Sequence, residues 1–514
     1  MVNLMKINDM NLDSYKKIIS AYIAEFINGD VSAIQVYNYI KEESYSDVYS
    51  IIDALYNKYG TLLKMDYEVY NQVFNNILLD IKKNIKKINI DLFDDELVIE
   101  KLKKQIQSKE EHNFEKMTYP LFLFTKNLYY DLVKNNAKTV YFFAREGQFM
   151  KTLFDIFQNS VVGPKIKSEY LYVSRASTFL GTLKSIKQEK FDSLFIQYPN
   201  MSLSTFCQNI SFKEKDILEL ESLLKIDFKK EIIDIKNSKE FKLLTKNAKF
   251  IQKYDNIRET AKELFIRYLD QFGNDYKKKM FVVDVGWKGT IQNNIQKILP
   301  KTKIMGYYLG LVHYADITNY ETKKAILFEN TLSKKSKNGY LYNSNRSIFE
   351  VILAADHGST INYKAGKRIV PVLNNQDKEK ELFINNIKPI QNNIINKFTK
   401  LVDILKYSYY DVFEVEKLIN REFFKLMFKP SKNEVNEYNT FYHFENFGVM
   451  NYSFFKKNNK ITLKQKLKNY RHFRAFIQND DSWQYLKLHN NKMHLGKIVL
   501  YFYKKRSFKK QDVI

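Results

Sequence analysis

Cysteine is almost absent from this chain: Cys207 stands alone among 514 residues. One thiol excludes a disulfide framework and a thiolate metal site, and it fits a reducing cytoplasm. Proline, at 7, and glycine, at 15, are also scarce. So few turn formers favour long helices over a β-sandwich. No window approaches about 18 uninterrupted apolar residues, so no transmembrane helix is expected. Met1 to Lys17 places acids and polar residues where a secretory signal needs an apolar core.

What is present is apolar bulk and positive charge. The apolar share is 45 %, enough for a sizeable core, and the length suits two or three domains. Asn, Lys, Ile, Tyr and Phe abound, which suggests an AT-rich genome and inflates the lysine count. The formal charge of +25 is uneven. Residues Asn451 to Ile514 hold 16 Lys+Arg against 3 Asp+Glu. Such a surplus draws nucleic acid or an anionic membrane. No nucleic-acid-binding signature accompanies it, which disfavours nucleic acid.

Periodicity divides the chain into three regions. Residues 1–115 read as a helical N-terminal region, with stripes at Ile18, Ile19, Tyr22, Ile23, Phe26 and at Leu78, Ile81, Ile85. The run Asp91 to Glu96 reads as a solvated turn and helix start, because nothing is spaced to complete a metal site. Residues 116–365 form the core, with a helical insertion at 190–275. An apolar helix comes first, with Tyr119, Leu121, Phe122, Phe124, Leu128, Tyr129 and Leu132 on one side. Within the insertion, Leu218, Leu220, Leu223 and Leu224 and then Ala261, Leu264, Phe265, Tyr268 and Leu269 read as core stripes. Residues 366–514 form a helical C-terminal region with the basic tail.

The chemistry gathers where strands end. Met280 to Val283 reads as a buried strand, followed by Asp284, Gly286, Trp287, Lys288, Gly289 and Thr290 and then a helix through Ile291, Ile295 and Ile298. This strand–loop–helix can aim backbone N–H groups at one anion. Lys288 adds charge, Thr290 a hydroxyl and Asp284 a carboxylate. The plain alternative is a turn whose glycines only solve geometry. The loop is neither a Walker A sequence nor a G-x-G-x-x-G, so neither nucleotide class is implied.

Three further segments repeat the arrangement. Thr139 to Ala144 is a strand running into Arg145, Glu146 and Gly147, which suit a phosphate or sugar hydroxyls, or make a surface ion pair. Tyr170 to Val173 ends in Ser174 and Arg175. Ile304 to Leu311 is a strand with small residues where another backbone can approach. A helix from Phe349, carrying Glu350, breaks at Asp356-His357-Gly358-Ser359. That cluster offers a base, a proton shuttle and phosphate donors, or simply a helix cap. Strands that end in charged loops before helices indicate an α/β class: a Rossmann-like, mostly parallel sheet with its site along the carboxyl edge.

The motifs V-Y-F-F-A-R-E-G-Q-F, L-Y-V-S-R, V-V-D-V-G-W-K-G-T-I-Q and F-E-V-I-L-A-A-D-H-G-S occur in this order. Together they resemble the glycan phosphoribosyltransferase domain of bacterial ribofuranosyltransferases. These are surface-polysaccharide proteins long described as haloacid-dehalogenase-type hydrolases. The resemblance covers roughly residues 120–365. It implies transfer of 5-phosphoribosyl from phosphoribosyl pyrophosphate to a glycan hydroxyl, on a lipid-linked acceptor, with Mg²⁺ accompanying the donor. The D-x-D-x-T loop of the partner phosphatase domain is missing, so a separate phosphatase would have to remove the phosphate.

The resemblance implies donor or acceptor contacts at the residues of these motifs, and their chemistry makes Asp284, Glu146 and Lys288 the catalytic candidates. Arg145, Gly147, Ser174, Arg175, Gly286, Trp287, Gly289, Thr290 and Gln292 would bind the donor. Glu350, Asp356, His357 and Ser359 would contact acceptor or donor. Asp284 is the first choice as base and Glu146 the second. A carboxylate could equally bind the ribose hydroxyls.

Three other readings compete. A nucleotide-sugar-dependent glycosyltransferase would bind UDP- or CDP-sugars and ignore phosphoribosyl pyrophosphate. A haloacid-dehalogenase-type phosphatase lacks its aspartate pair here. A non-catalytic basic adaptor on membrane or nucleic acid would not need Asp284 or Lys288. In the tail, Ile498 to Tyr503 precedes Lys504, Lys505, Arg506, Lys509 and Lys510. That pattern suits peripheral attachment at the inner face of the membrane, or a solvated terminal element.

Overall fold

The computed structural model describes residues 12–27, 31–42, 45, 47–84, 95–107, 112–161, 163–312, 320–330, 339–405, 412–445, 451–454, 462–478 and 483–511. Ile85 and most of the Asp91 to Glu96 run lie outside them. At the centre is a five-stranded sheet. In chain order the described strands are β1 (Thr139–Phe143), β2 (Lys167–Leu171), β3 (Met201–Ser202), β4 (Glu231–Ile232), β5 (Lys279–Trp287), β6 (Lys303–Val312), β7 (Lys323–Asn330), β8 (Ser359–Lys364), β9 (Val370–Asn374), and the antiparallel pair β10 (Tyr442–Glu445) and β11 (Asn451–Phe454). The sheet runs β2-β1-β5-β6-β7, and every neighbouring pair is parallel. Both β3–β4 and β8–β9 are separate antiparallel pairs.

The α/β architecture expected from the sequence is present. Its reason is visible in the strand residues. Val140, Phe142, Phe281, Val283 and Val285 enter one hydrophobic cluster. Tyr141, Phe143, Met280, Val282 and Ile304 enter another on the opposite face. A strand buried on both faces needs apolar residues at successive positions, which is why these runs do not alternate with polar ones. After β2 the chain passes back across β1 to form β5. The winding therefore reverses between β1 and β5, and such a switch point leaves a crevice at the carboxyl ends of the two strands.

The helix Thr118–Lys134 departs from expectation. Rather than one apolar side, it buries 14 of its 17 residues. It lies between the N-terminal helices, the sheet and the C-terminal helices, and one cluster runs from Ile18 through this helix to Leu500. The Lys126 ammonium is buried with it and meets Glu25 at 2.8 Å. A buried cation requires such a partner.

The insertion has its own cluster, from Ala176 to Ala261, built on Phe191, Phe195, Phe206, Phe241, Phe250 and Tyr254. Its stripe at Ala261, Leu264, Phe265, Tyr268 and Leu269 is buried as expected, whereas Leu218 and Leu223 face solvent. Only Leu220 of that leucine group is fully buried, because the helix Glu214–Leu224 lies at the rim of this small core.

Candidate functional site

The crevice at the β1/β5 switch point gathers most of the charged candidates. Arg145 and Glu146 follow β1 directly, and Gly147 begins the helix Gly147–Ser160. Arg175 opens the helix Arg175–Thr182 after β2. Asp284, Gly286 and Trp287 belong to β5 itself. Glu350 comes from the helix Arg346–Ile352.

The expected loop after Val283 is shorter than its sequence suggested. Gly286 pairs with Gly310 and Trp287 with Leu311, so β5 continues past Asp284. Only Lys288 and Gly289 remain between this strand and the helix Thr290–Ile298. Gly286 has φ +128°, and a Cβ there would stand 2.3 Å from the Gly310 carbonyl oxygen. Gly289, with φ +69°, precedes the helix without side-chain capping. The N–H groups of that first turn are oriented for an anion, and Lys288 is exposed beside them.

Asp284 is the most perturbed group of the cluster. Burial pushes its carboxyl up to about 8, and the negative charges of Glu146 and Glu350 push the same way. The Val285 N–H, donated to Oδ1 at 2.8 Å, and the Arg175 guanidinium pull it down by less. Asp284 thus holds a proton at neutral pH in the ligand-free protein. Glu146, Glu350 and Arg175 thus all lie within electrostatic reach of Asp284.

Trp287 braces one wall. Its indole Nε1–H donates to Glu350 at 2.8 Å, and the Arg346 guanidinium lies over the ring at 5.4 Å. Arg145 is held at 3.0 Å by Glu379, which belongs to the helix Asp377–Leu382. An anion entering here would have to compete with Glu379 for Arg145.

His357 shares this region through Arg145 and Glu146, whose charges it feels. Its Nδ1 lies 2.7 Å from the Gly358 carbonyl, which can only accept. That contact assigns the proton to Nδ1 and leaves Nε2 to accept from the Tyr170 hydroxyl at 2.8 Å. Burial lowers the imidazole below its usual range. Tyr170→Phe should let it rise again, because a hydrogen bond to Nε2 favours the neutral ring. An NMR titration of the His357 ring would check this; an unchanged midpoint would mean that the Tyr170 hydroxyl gives its proton to the Arg145 carbonyl, 3.3 Å away, and not to Nε2. Asp356 is exposed and held by Gln148, whose amide donates to its carboxylate and accepts from its N–H. Ser359 begins β8.

No protein-family model and no curated protein matches this chain.

Two candidates have structural duties instead. The Ser174 hydroxyl caps the helix Arg175–Thr182 by accepting from Ser177 N–H, and it donates to the Thr360 carbonyl at 2.5 Å. Gln292 is buried; its amide donates to Ile304 and Thr322 and accepts from the Tyr308 hydroxyl at 2.6 Å. Neither side chain faces a ligand with unused bonding capacity. Thr290 opens its helix as expected.

Sequence reasoning passed over Glu379, Tyr170, Gln148 and Arg346. Arg346 carried a legible signal, since it lies four residues before Glu350 in a mostly apolar helix. Glu379 carried none, because it is one acid in a charged run far along the chain. Among the described residues no three His, Cys, Asp or Glu converge as a metal cage. Magnesium travelling with a diphosphate needs none, because it keeps its waters and takes one or two carboxylates. Glu146 fits that lesser demand, whereas the protonated Asp284 does not. A separate cavity of 470 Å³, lined by Arg267, Asp270, Gln271 and the β8–β9 turn at Lys367 and Arg368, lies away from this crevice.

Proposed function

We propose that this chain is a glycosyltransferase that moves 5-phosphoribosyl from phosphoribosyl pyrophosphate to a glycan hydroxyl and releases pyrophosphate. The observation that supports it best is the composition of the switch-point crevice. A buried carboxyl shares it with two other acids, with Arg175 and with the helix opening at Thr290. The four sequence motifs of the resemblance contribute to the same crevice from β1, β2, β5 and the segment before β8.

In this reading Arg145, Arg175 and Lys288 bind the diphosphate, and the first turn of the Thr290–Ile298 helix holds a phosphate. The bond from ribose C1 to the diphosphate oxygen breaks, and its electron pair leaves with pyrophosphate. The acceptor oxygen bonds to C1. Its proton passes to Asp284, which must first ionise, or to Glu146. Where Asp284 is the base, magnesium accompanying the donor would be held by Glu146 and would supply further positive charge to the diphosphate. Trp287 and Glu350 shape the side on which the sugar sits.

The test is calorimetry followed by turnover. The protein should bind phosphoribosyl pyrophosphate with Mg²⁺ at millimolar concentration or below, and should not bind UDP-sugars. With a lipid-linked glycan, mass spectrometry should show the gain of a phosphopentose. Lys288→Ala should weaken donor binding by about tenfold, the effect of losing one charged hydrogen bond to a phosphate. Binding of UDP-sugars alone would replace this donor with a nucleotide sugar, and intact binding in the Lys288 variant would remove that residue from the site.

A further inference from the structure

The C-terminal helix His494–Gln511 is solvated along an apolar stripe. Leu495, Ile498, Val499, Phe502 and Tyr503 are between 50 and 69 % exposed. Their spacing of three and four residues sets them on one side of the helix. The opposite side is satisfied. Leu500 and Met493 are fully buried, and Tyr501 and Phe508 lean on Phe424. Lys504, expected from the sequence to belong to the basic flank, turns inward. Its ammonium lies 5.6 Å above the rings of Tyr340 and Phe428. The outward side is therefore not a packing error of a loosely held tail: the helix is fixed, and its apolar stripe is left facing outward.

The surroundings of the stripe have one sign of charge. Residues 462–478 and 483–511 contain 13 Lys+Arg and no Asp or Glu. The Arg474 guanidinium sits over the Tyr503 ring at 5.8 Å, at the edge of the stripe. Exposed Arg506, with half-buried Lys497 and Lys505, flanks it on the same helix, and the neighbouring helix Leu463–Arg471 adds exposed Lys468 and Arg471 beside exposed Leu467.

We propose that this face binds an anionic membrane surface, with the helix lying in the plane of the interface. The charge decides between occupants. A second copy docked on this stripe would bring two surfaces rich in Lys and Arg together. Nucleic acid would satisfy the cations and leave the apolar side chains in water. An anionic bilayer takes the apolar stripe below its headgroups and holds the cations among them. No described helix is long and apolar enough to cross a membrane, so attachment is peripheral in this region.

Co-sedimentation of the full chain with vesicles tests the proposal. It should pellet with phosphatidylcholine vesicles containing about 30 % phosphatidylglycerol, and not with phosphatidylcholine alone. Added salt should weaken binding. The pair Ile498→Ser and Phe502→Ser, both at exposed positions, should lower partitioning by at least about tenfold. Lys505→Glu with Arg506→Glu should lower it too. Unchanged melting temperatures would show that the variants fold. Equal pelleting with neutral vesicles, or full binding by the Ile498/Phe502 variant, overturns the proposal. So does a dimer in sedimentation velocity that the same variant dissolves, which would assign the face to a second copy.

Discussion

Asp284→Asn is expected to reduce turnover by roughly 10²–10⁴-fold and, at the same time, to make the protein harder to unfold at alkaline pH. The two effects share a cause. The carboxyl sits at about 8 when folded, because burial and two neighbouring acids oppose its charge. In the unfolded chain it returns to about 4. A carboxyl raised in this way favours the folded state most below about pH 4. That contribution is lost as pH climbs through 4 to 8, because the unfolded chain gives up its proton first. The loss amounts to about 1.4 kcal/mol per pH unit, several kcal/mol in all. Asparagine stays neutral and can keep the acceptor for the Val285 N–H, so it escapes the loss. Unfolding of both proteins at about pH 4 and about pH 8.5 should show the gap opening with pH. The wild-type profile of kcat/KM should rise toward an apparent pKa near 8, because the base must ionise. A variant with normal turnover and no pH-dependent gain would refute both the base and the buried neutral acid.

Gly286→Ala should be the most damaging single methyl in the crevice. Two costs add there. The φ of +128° is one that L side chains rarely adopt, and the new Cβ would stand 2.3 Å from the Gly310 carbonyl oxygen. That oxygen belongs to β6, which is paired on both sides, so it has no rotamer by which to withdraw. Together the conformational and steric terms reach on the order of 3 kcal/mol or more. Gly289→Ala is the control. Its φ of +69° is the ordinary left-handed region, and the close neighbours of its new Cβ, the Lys323 stem at 2.6 Å and the Tyr308 hydroxyl at 2.7 Å, are side chains rather than strand backbone. The backbone cost is about 1–2 kcal/mol there, and those side chains must shift to admit the methyl. Denaturant unfolding of the pair decides the matter, and equal stabilities would mean that β5 does not press on β6 as described.

The sheet was legible because its strands are buried on both faces. Runs such as Val140 to Phe143 and Met280 to Val283 have no polar break, and each is followed by a charged segment and a helix. β7 was not legible. Its sequence, Lys-Lys-Ala-Ile-Leu-Phe-Glu-Asn, lies at the sheet edge, where half of its residues are only partly buried and lysines open it. The β8–β9 hairpin was missed for a similar reason: short, half-buried strands carry little periodicity. Within the crevice, Glu146 and Arg175 follow strands as their order in the sequence indicated, whereas Asp284 lies inside β5, which runs on to Trp287. Sequence order could not reveal that Ser174 and Gln292 use their polar atoms internally. Thr360 lies far from Ser174 in the chain, and Tyr308 meets Gln292 only because β6 packs on the preceding helix. Nor could sequence order show Glu379 beside Arg145, a pairing across 234 residues.

The separate aromatic core of the insertion has a consequence for how this chain could change. Its rings pack on each other rather than on the strands that carry the crevice. A substitution among Phe191, Phe206 and Phe241 is therefore absorbed within that small body, while the catalytic candidates keep their positions. Variation can accumulate there, and a shorter or longer version can be grafted between the helix after β2 and the helix that leads to β5. The helix Thr118–Lys134 has no such latitude, since it is shared by nearly everything else. One chain thus combines a replaceable part with a fixed one, and the crevice hangs from the fixed part.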